Sequence, residues 1–137
     1  MKFLTLLSLF FSVSSFASNC PDFSGAYLLS GSAALVTVSQ VGCEKISVTV
    51  GDAGTETRIA DGRFREVTDP FGKLLYSSTV FTETRLVMED MDPTKSFIEV
   101  KSNFRKAGNN FIASNLYYNE AGEEVYRSGA LFEKIQR

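Results

Sequence analysis

Turn-forming residues punctuate this chain at short intervals, and helical spacing fits poorly between them. Gly31-Ser32, Gly42, Asp52-Ala53-Gly54, Asp61-Gly62, Asp69-Pro70-Phe71-Gly72, Asp92-Pro93, Gly108-Asn109-Asn110 and Ala121-Gly122 each supply either tolerance of positive φ or a proline-fixed φ. These are the backbone conformations that tight hairpin turns require. The segments between them have strand length and strand period. Lys45 to Val50 places Ile46, Val48 and Val50 on one face and Lys45, Ser47 and Thr49 on the other, the alternation of a half-buried strand. Ser96 to Phe104 repeats the pattern, with Ile98, Val100 and Phe104 opposite Glu99, Lys101 and Asn103.

The spacing predicts an all-β domain of eight to ten short antiparallel strands, over residues 24–30, 33–41, 45–51, 56–60, 63–67, 73–82, 84–91, 96–105, 110–118 and 124–134. Hairpin connections make sequence neighbours spatial neighbours. Twist and exposed edges then favour closing such a meander into a small barrel or folding it into a β-sandwich.

Before the first turn stands a different kind of segment. Met1-Lys2 carries one positive charge, and Phe3 to Val13 is apolar apart from Thr5, Ser8 and Ser12. Ser15 and Ala17 then sit three residues and one residue before a cut ahead of Ser18, the small-x-small pattern of a signal peptidase site. The expectation is a signal peptide over residues 1–17 and a single domain over 18–137. The apolar run is shorter than the ~20 residues that span a bilayer. Cys20 follows Asn19 rather than the small residue that precedes a lipid-bearing cysteine, so it reads as structural. A periplasmic or secreted location follows.

Charge bears on the partners the chain can have. With Lys2 removed, 13 basic residues face 16 acidic ones, a net charge of about −3, and the basic residues are scattered. Nucleic acid and anionic membranes need a concentrated basic surface, so neither is an expected partner. No later stretch is apolar enough to form a membrane span.

The two cysteines, Cys20 and Cys43, fit the first hairpin. If Gly31-Ser32 forms a two-residue type II′ turn, residues paired across it have numbers summing to 63. That register pairs Tyr27 with Val36, Gly25 with Val38, and Cys20 with Cys43. Facing residues of an antiparallel ladder lie ~4.5–5.5 Å apart at Cα, within disulfide range, and an oxidising compartment favours the bond. A redox or metal role lacks both a Cys-x-x-Cys spacing and a histidine partner.

The chain contains no histidine, which removes Ser-His and Cys-His nucleophile activation and the common histidine-ligated zinc sites. Walker-type, Gly-x-Gly-x-x-Gly and Gly-x-Ser-x-Gly motifs are also missing from the sequence. No catalytic residue, metal ligand or cofactor is expected, and the chain reads as a non-enzyme. The acidic run Glu89, Asp90 and Asp92 lacks the remainder of a calcium loop and reads as a solvated strand end entering a turn. Late aromatics, Phe111, Tyr117, Tyr118, Tyr126 and Phe132, read chiefly as core, with the lining of a ligand cavity as the alternative.

Phe23-Ser24-Gly25-Ala26-Tyr27 resembles the Gly-x-Trp opening of the calycin group, which includes lipocalins and avidin-like proteins, with tyrosine in place of tryptophan. The hairpin succession and a last strand carrying Arg127 and Lys134 are similar to that group as well. The resemblance implies a closed antiparallel barrel, a small apolar ligand, and a late basic residue, Arg127 or Lys134, packed over the first-strand aromatic. With no tryptophan in the chain, it does not extend to an avidin-type biotin pocket. Two functions stand as expectations: a lipocalin-like barrel binding a small hydrophobic ligand, and an exported protein–protein interaction module, such as an inhibitor or envelope structural protein, with a filled core.

Overall fold

The computed structural model describes residues 19–136; the expected signal peptide lies outside the described residues. Ten strands follow one another: β1 (Gly25–Leu29), β2 (Leu35–Val41), β3 (Lys45–Val50), β4 (Gly54–Ile59), β5 (Arg65–Thr68), β6 (Leu74–Phe81), β7 (Arg85–Met91), β8 (Val100–Ala107), β9 (Asn110–Tyr118) and β10 (Glu124–Lys134). All pairings are antiparallel, in the sheet order β4-β3-β2-β1-β10-β9-β8-β7-β6-β5. First and last strands pair through Tyr27↔Lys134, Leu28↔Glu133 and Leu29↔Phe132. The sheet therefore curls into a nearly closed barrel rather than a sandwich, with one seam between β4 and β5, which are consecutive in sequence yet form the two sheet edges.

The β1–β2 register is the one expected, with Gly25↔Val38 and Tyr27↔Val36. Its turn is not. Ser32 N donates to Leu29 O (3.0 Å) and Leu29 N to Ala34 O (3.2 Å), so the connection is longer than two residues. Gly31, at φ +80°, occupies the second central position of the turn, not the first. Adding one residue to each side of a symmetrical loop leaves the register unchanged, which is why the pairing survives the different turn.

Beyond Gly25 the ladder meets Pro21, which has no N–H to donate. The Gln40 side chain takes over: Oε1 accepts from Phe23 N at 2.9 Å, and Nε2 donates to the carbonyls of Pro21 and Gly42, each at 2.9 Å. The two chain ends thus stay in register, and Cys20 and Cys43 form a disulfide with their Cα atoms 5.9 Å apart.

Alternation of burial fixes the inner face. At the end carrying the disulfide, Phe23, Tyr27, Phe81, Leu86, Phe104, Phe111 and Phe132 belong to one apolar cluster. Phe111 stacks on Phe132 (centroids 4.5 Å) and meets Tyr27 edge-on (4.7 Å). Phe23, just before β1, contacts both Phe81 and Phe111 and plugs this end of the barrel. Full burial of one such side chain contributes about 1.5–3 kcal/mol. Tyr27, fully buried, satisfies its hydroxyl by donating to Phe23 O at 2.8 Å.

Outward positions of β2–β4 carry Thr37, Ser39, Ser47, Thr49, Thr55 and Thr57 in cross-strand rows. Ser47–Thr57 and Thr49–Thr55 hydroxyls pair at 2.9 and 2.8 Å, the side-chain pairing that stabilises adjacent strands. No helix among the described residues is long and apolar enough to cross a membrane.

The largest departure from the expected boundaries is β8, which begins at Val100 rather than at residue 96. Asp92 accepts from Thr94 N and Oγ1, Lys95 N donates to Asp92 O, and Lys95 pairs with Glu99 across the connection. These local bonds hold residues 92–99 as a loop despite the alternation at Ile98 and Val100.

Candidate functional site

Opposite the aromatic plug, the inner face changes character. The β3–β4 register sets Arg58 opposite Ile46, and Ile46 is a buried inward residue, so Arg58 also points inward. Its side chain is only 3% exposed. Nε donates to Glu56 at 2.6 Å; Nη1 donates to Asp90 at 3.0 Å, to Thr79 Oγ1 at 3.5 Å and to Ser77 Oγ. Ser77 Oγ in turn donates to Asp90. One β4 side chain therefore reaches β6 and β7, spanning the seam where β4 and β5 exchange no ladder bonds.

Burial alone would lower the Arg58 guanidinium, but the nearby Asp90 and Glu56 carboxylates, with their hydrogen bonds, outweigh it and hold the group above its ordinary value. The cation is permanent. Two carboxylates around one guanidinium leave the cluster with a net charge of −1 when all three are ionised.

The seam is fastened at both ends. Near the plugged end, Ala60 N donates to Glu44 O and Gly62 N to Thr79 O, so the β4–β5 link follows both neighbouring strands. Asp61 accepts from Arg63 N and from the Arg65 guanidinium. The Arg65 hydrogen bond above all holds the Asp61 carboxyl at about 2, against the opposing effect of burial and with help from the Arg63 amide and the two arginine charges. At the other end, Gly54 lies against Pro70: a Cβ on Gly54 would stand 2.7 Å from the Pro70 carbonyl oxygen. Between these fastenings runs a surface cleft of about 490 Å³ lined by Thr57, Ile59, Phe64, Arg65, Glu66, Val67 and Tyr76.

In the half of the barrel away from the plug, which we call the open half, inward-facing Val48, Val50, Val100, Asn115, Ser128 and Ala130 are half-buried; Val48 and Val50 pack against the core cluster, as the half-buried Phe104 and Phe132 do at the plugged end. Tyr117 and Tyr126 pair across β9 and β10 at its rim, centroids 5.4 Å apart, with Tyr126 62% exposed.

The aromatics singled out in the sequence thus divide three ways. Phe111 and Phe132 are core, Tyr117 and Tyr126 form the rim, and Tyr118 faces outward beneath the Lys101 ammonium (5.4 Å). The acidic run also diverges. Glu89 faces outward toward Lys101 (3.6 Å) and Asp92 caps a turn, as a solvated strand end would, but Asp90 turns inward to Arg58. The solvated reading is therefore corrected for Asp90, whose position on the inward parity of β7 decides its partner. Of the two late basic residues, Arg127 is exposed and pairs with Glu124. Lys134 is the one beside the first-strand aromatic, its Cε 2.8 Å from where a Gly25 Cβ would stand.

Arg58 was not among the residues the motifs singled out. The signal for it was nonetheless present: the inward parity of Ile46 and a hairpin turn at residues 52–54 together place Arg58 inside. No protein-family model matches the chain, and no curated protein matches it.

Proposed function

We propose that this protein is an exported, calycin-like barrel that binds a small ligand with an apolar body through its open half. The carrying observation is the half-burial of inward-facing Val48, Val50, Val100 and Ser128 above a packed aromatic floor. A small barrel either fills its interior with side chains or holds one small ligand there, and half-buried inward positions favour the second. Valines offer an apolar wall, and the Tyr117–Tyr126 pair gives an amphipathic rim. Lys134 over Gly25 beside Tyr27 supports the calycin likeness, and the leader pattern with the Cys20–Cys43 bond supports export to an oxidising periplasm or extracellular space.

A neutral naphthylamine fluorophore, N-phenyl-1-naphthylamine, tests this reading. The account expects saturable fluorescence enhancement that Tyr117→Ala and Val50→Asp each weaken. No enhancement, or enhancement indifferent to both changes, would remove the reading.

One observation favours a second reading, an exported interaction module. Apolar side chains flank the seam on the outside: Phe71 is 75% exposed, Leu74, Ile59 and Tyr76 are exposed, and Phe64 stacks on Tyr76. Exposed apolar groups beside two unpaired strand edges are what a partner chain would cover.

A further inference from the structure

We propose that Arg58 is a ligand-binding residue, donating from Nη2 to an uncharged carbonyl oxygen on the molecule held in the open half of the barrel. The proposal rests on the reading of that half as a binding site and names the chemical class the site takes.

The geometry begins with donors. A guanidinium carries five N–H groups and no acceptor. Nε of Arg58 is committed to Glu56, and Nη1 to Ser77, Thr79 and Asp90; among the described residues, Nη2 has no protein acceptor. No buried side-chain nitrogen or oxygen of the described residues lacks a partner, so Nη2 keeps contact with solvent although the side chain is 3% exposed. A nearly buried cation therefore keeps one pair of donors that no described protein acceptor uses. Its orientation is held by the bonds the other two nitrogens make, which is how a specific polar contact is prepared before a ligand arrives.

Charge selects the class. Glu56 and Asp90 already supply two negative charges around this one positive charge. A ligand carboxylate would add a third in a partly desolvated site, where like charges repel far more strongly than in water. An ammonium has donors and no acceptor, so it cannot accept from Nη2. A ketone, ester or amide oxygen accepts from Nη2 without either penalty, while the apolar body lies against the half-buried Val48 and Val50. The small inward side chains Ser102 and Ser128 on the facing wall leave space for it.

Three probes with the same carbon chain separate these outcomes: methyl hexanoate, hexanoate and hexylammonium, each titrated into the disulfide-bonded protein while the Arg58 Nε–H and the Tyr117 and Tyr126 ring resonances are followed by NMR. The ester should shift all three residues and bind at least about ten-fold more tightly than hexanoate, the direction set by unscreened like-charge repulsion. Asp90→Asn, which keeps the acceptor for Arg58 and Ser77 but removes one negative charge, should shrink or reverse that preference. Equal or tighter hexanoate binding to the unaltered protein would overturn the proposal. So would ester binding that leaves Arg58 unmoved, or a preference indifferent to Asp90→Asn; in those cases the open-half reading stands, because the tyrosines still report a ligand. Failure of all three probes to move any of these residues would remove the open-half reading itself.

Discussion

Arg58 does what the backbone cannot do across the seam. β4 and β5 share no ladder, and the guanidinium joins β4 to Ser77, Thr79 and Asp90 on the far side. Replacing it leaves two largely buried carboxylates unpaired, so Arg58→Met should lower stability by about 3–5 kcal/mol in urea unfolding; a loss below about 1 kcal/mol, the scale of an exposed pair, would show that the network is not buried in solution. Asp61 makes a different contribution at the closed end of the same seam. Its folded carboxyl lies at about 2, below the ordinary 3.8. The stabilisation is therefore full above the unfolded value and is lost as pH falls through the folded one. Asp61→Asn keeps the turn acceptor for Arg63 N but removes the titration, so the variant should lose less stability than the parent between pH 4 and pH 2 (acid unfolding followed by circular dichroism). An unchanged acid profile would contradict that assignment. At this scale the sequence was partly legible. The register that paired Tyr27 with Val36 followed from numbering alone, whereas Arg58 and Asp90 lay hidden because their partners sit 32 residues apart and meet only when the barrel curls.

Among elements, the hairpins were the most legible because turn chemistry and period-two alternation agree at most of them. Lys45 to Val50 forms β3 with Ile46 inward as the alternation requires. β8 was misplaced at its start because alternation at Ile98 and Val100 continues through a loop held by Asp92, Thr94 and the Lys95–Glu99 pair. Local capping there overrides the hydrophobic pattern. The seam supplies a prediction of its own. Gly54, at φ +155°, opens β4 with Pro70 O too near for any Cβ. Gly54→Ala must displace a backbone carbonyl, so about 1–3 kcal/mol should be lost, with faster amide exchange in β4 and β5 than in β1 and β2. Uniform exchange across all four strands would mean that the Gly54–Pro70 contact does not fasten the seam.

For the whole molecule, barrel rather than sandwich follows from the pairing of β1 with β10. The sequence left that choice open because edge pairing is a property of total twist and not of any one segment. The disulfide bears on the same closure, joining the segment before β1 to the β2–β3 turn. Cys20→Ser combined with Cys43→Ser should cost about 3 kcal/mol, the loop-entropy value for a ring of this size, and should loosen Phe23 from the plugged end, visible as broadened Phe23, Phe81 and Phe111 ring resonances. Unbroadened rings with unchanged stability would show that Gln40 alone keeps the ends together. The aromatic floor and the open half together carry the account's central claim, that this barrel holds a small molecule above a packed plug. Native mass spectrometry of the protein purified from its own host tests it most directly, under gentle and denaturing conditions and with and without reductant. The account predicts a chain beginning at Ser18 with a reducible internal bond and a small adduct lost only on denaturation; a bare barrel, or one carrying another protein chain in place of a small molecule, would contradict it.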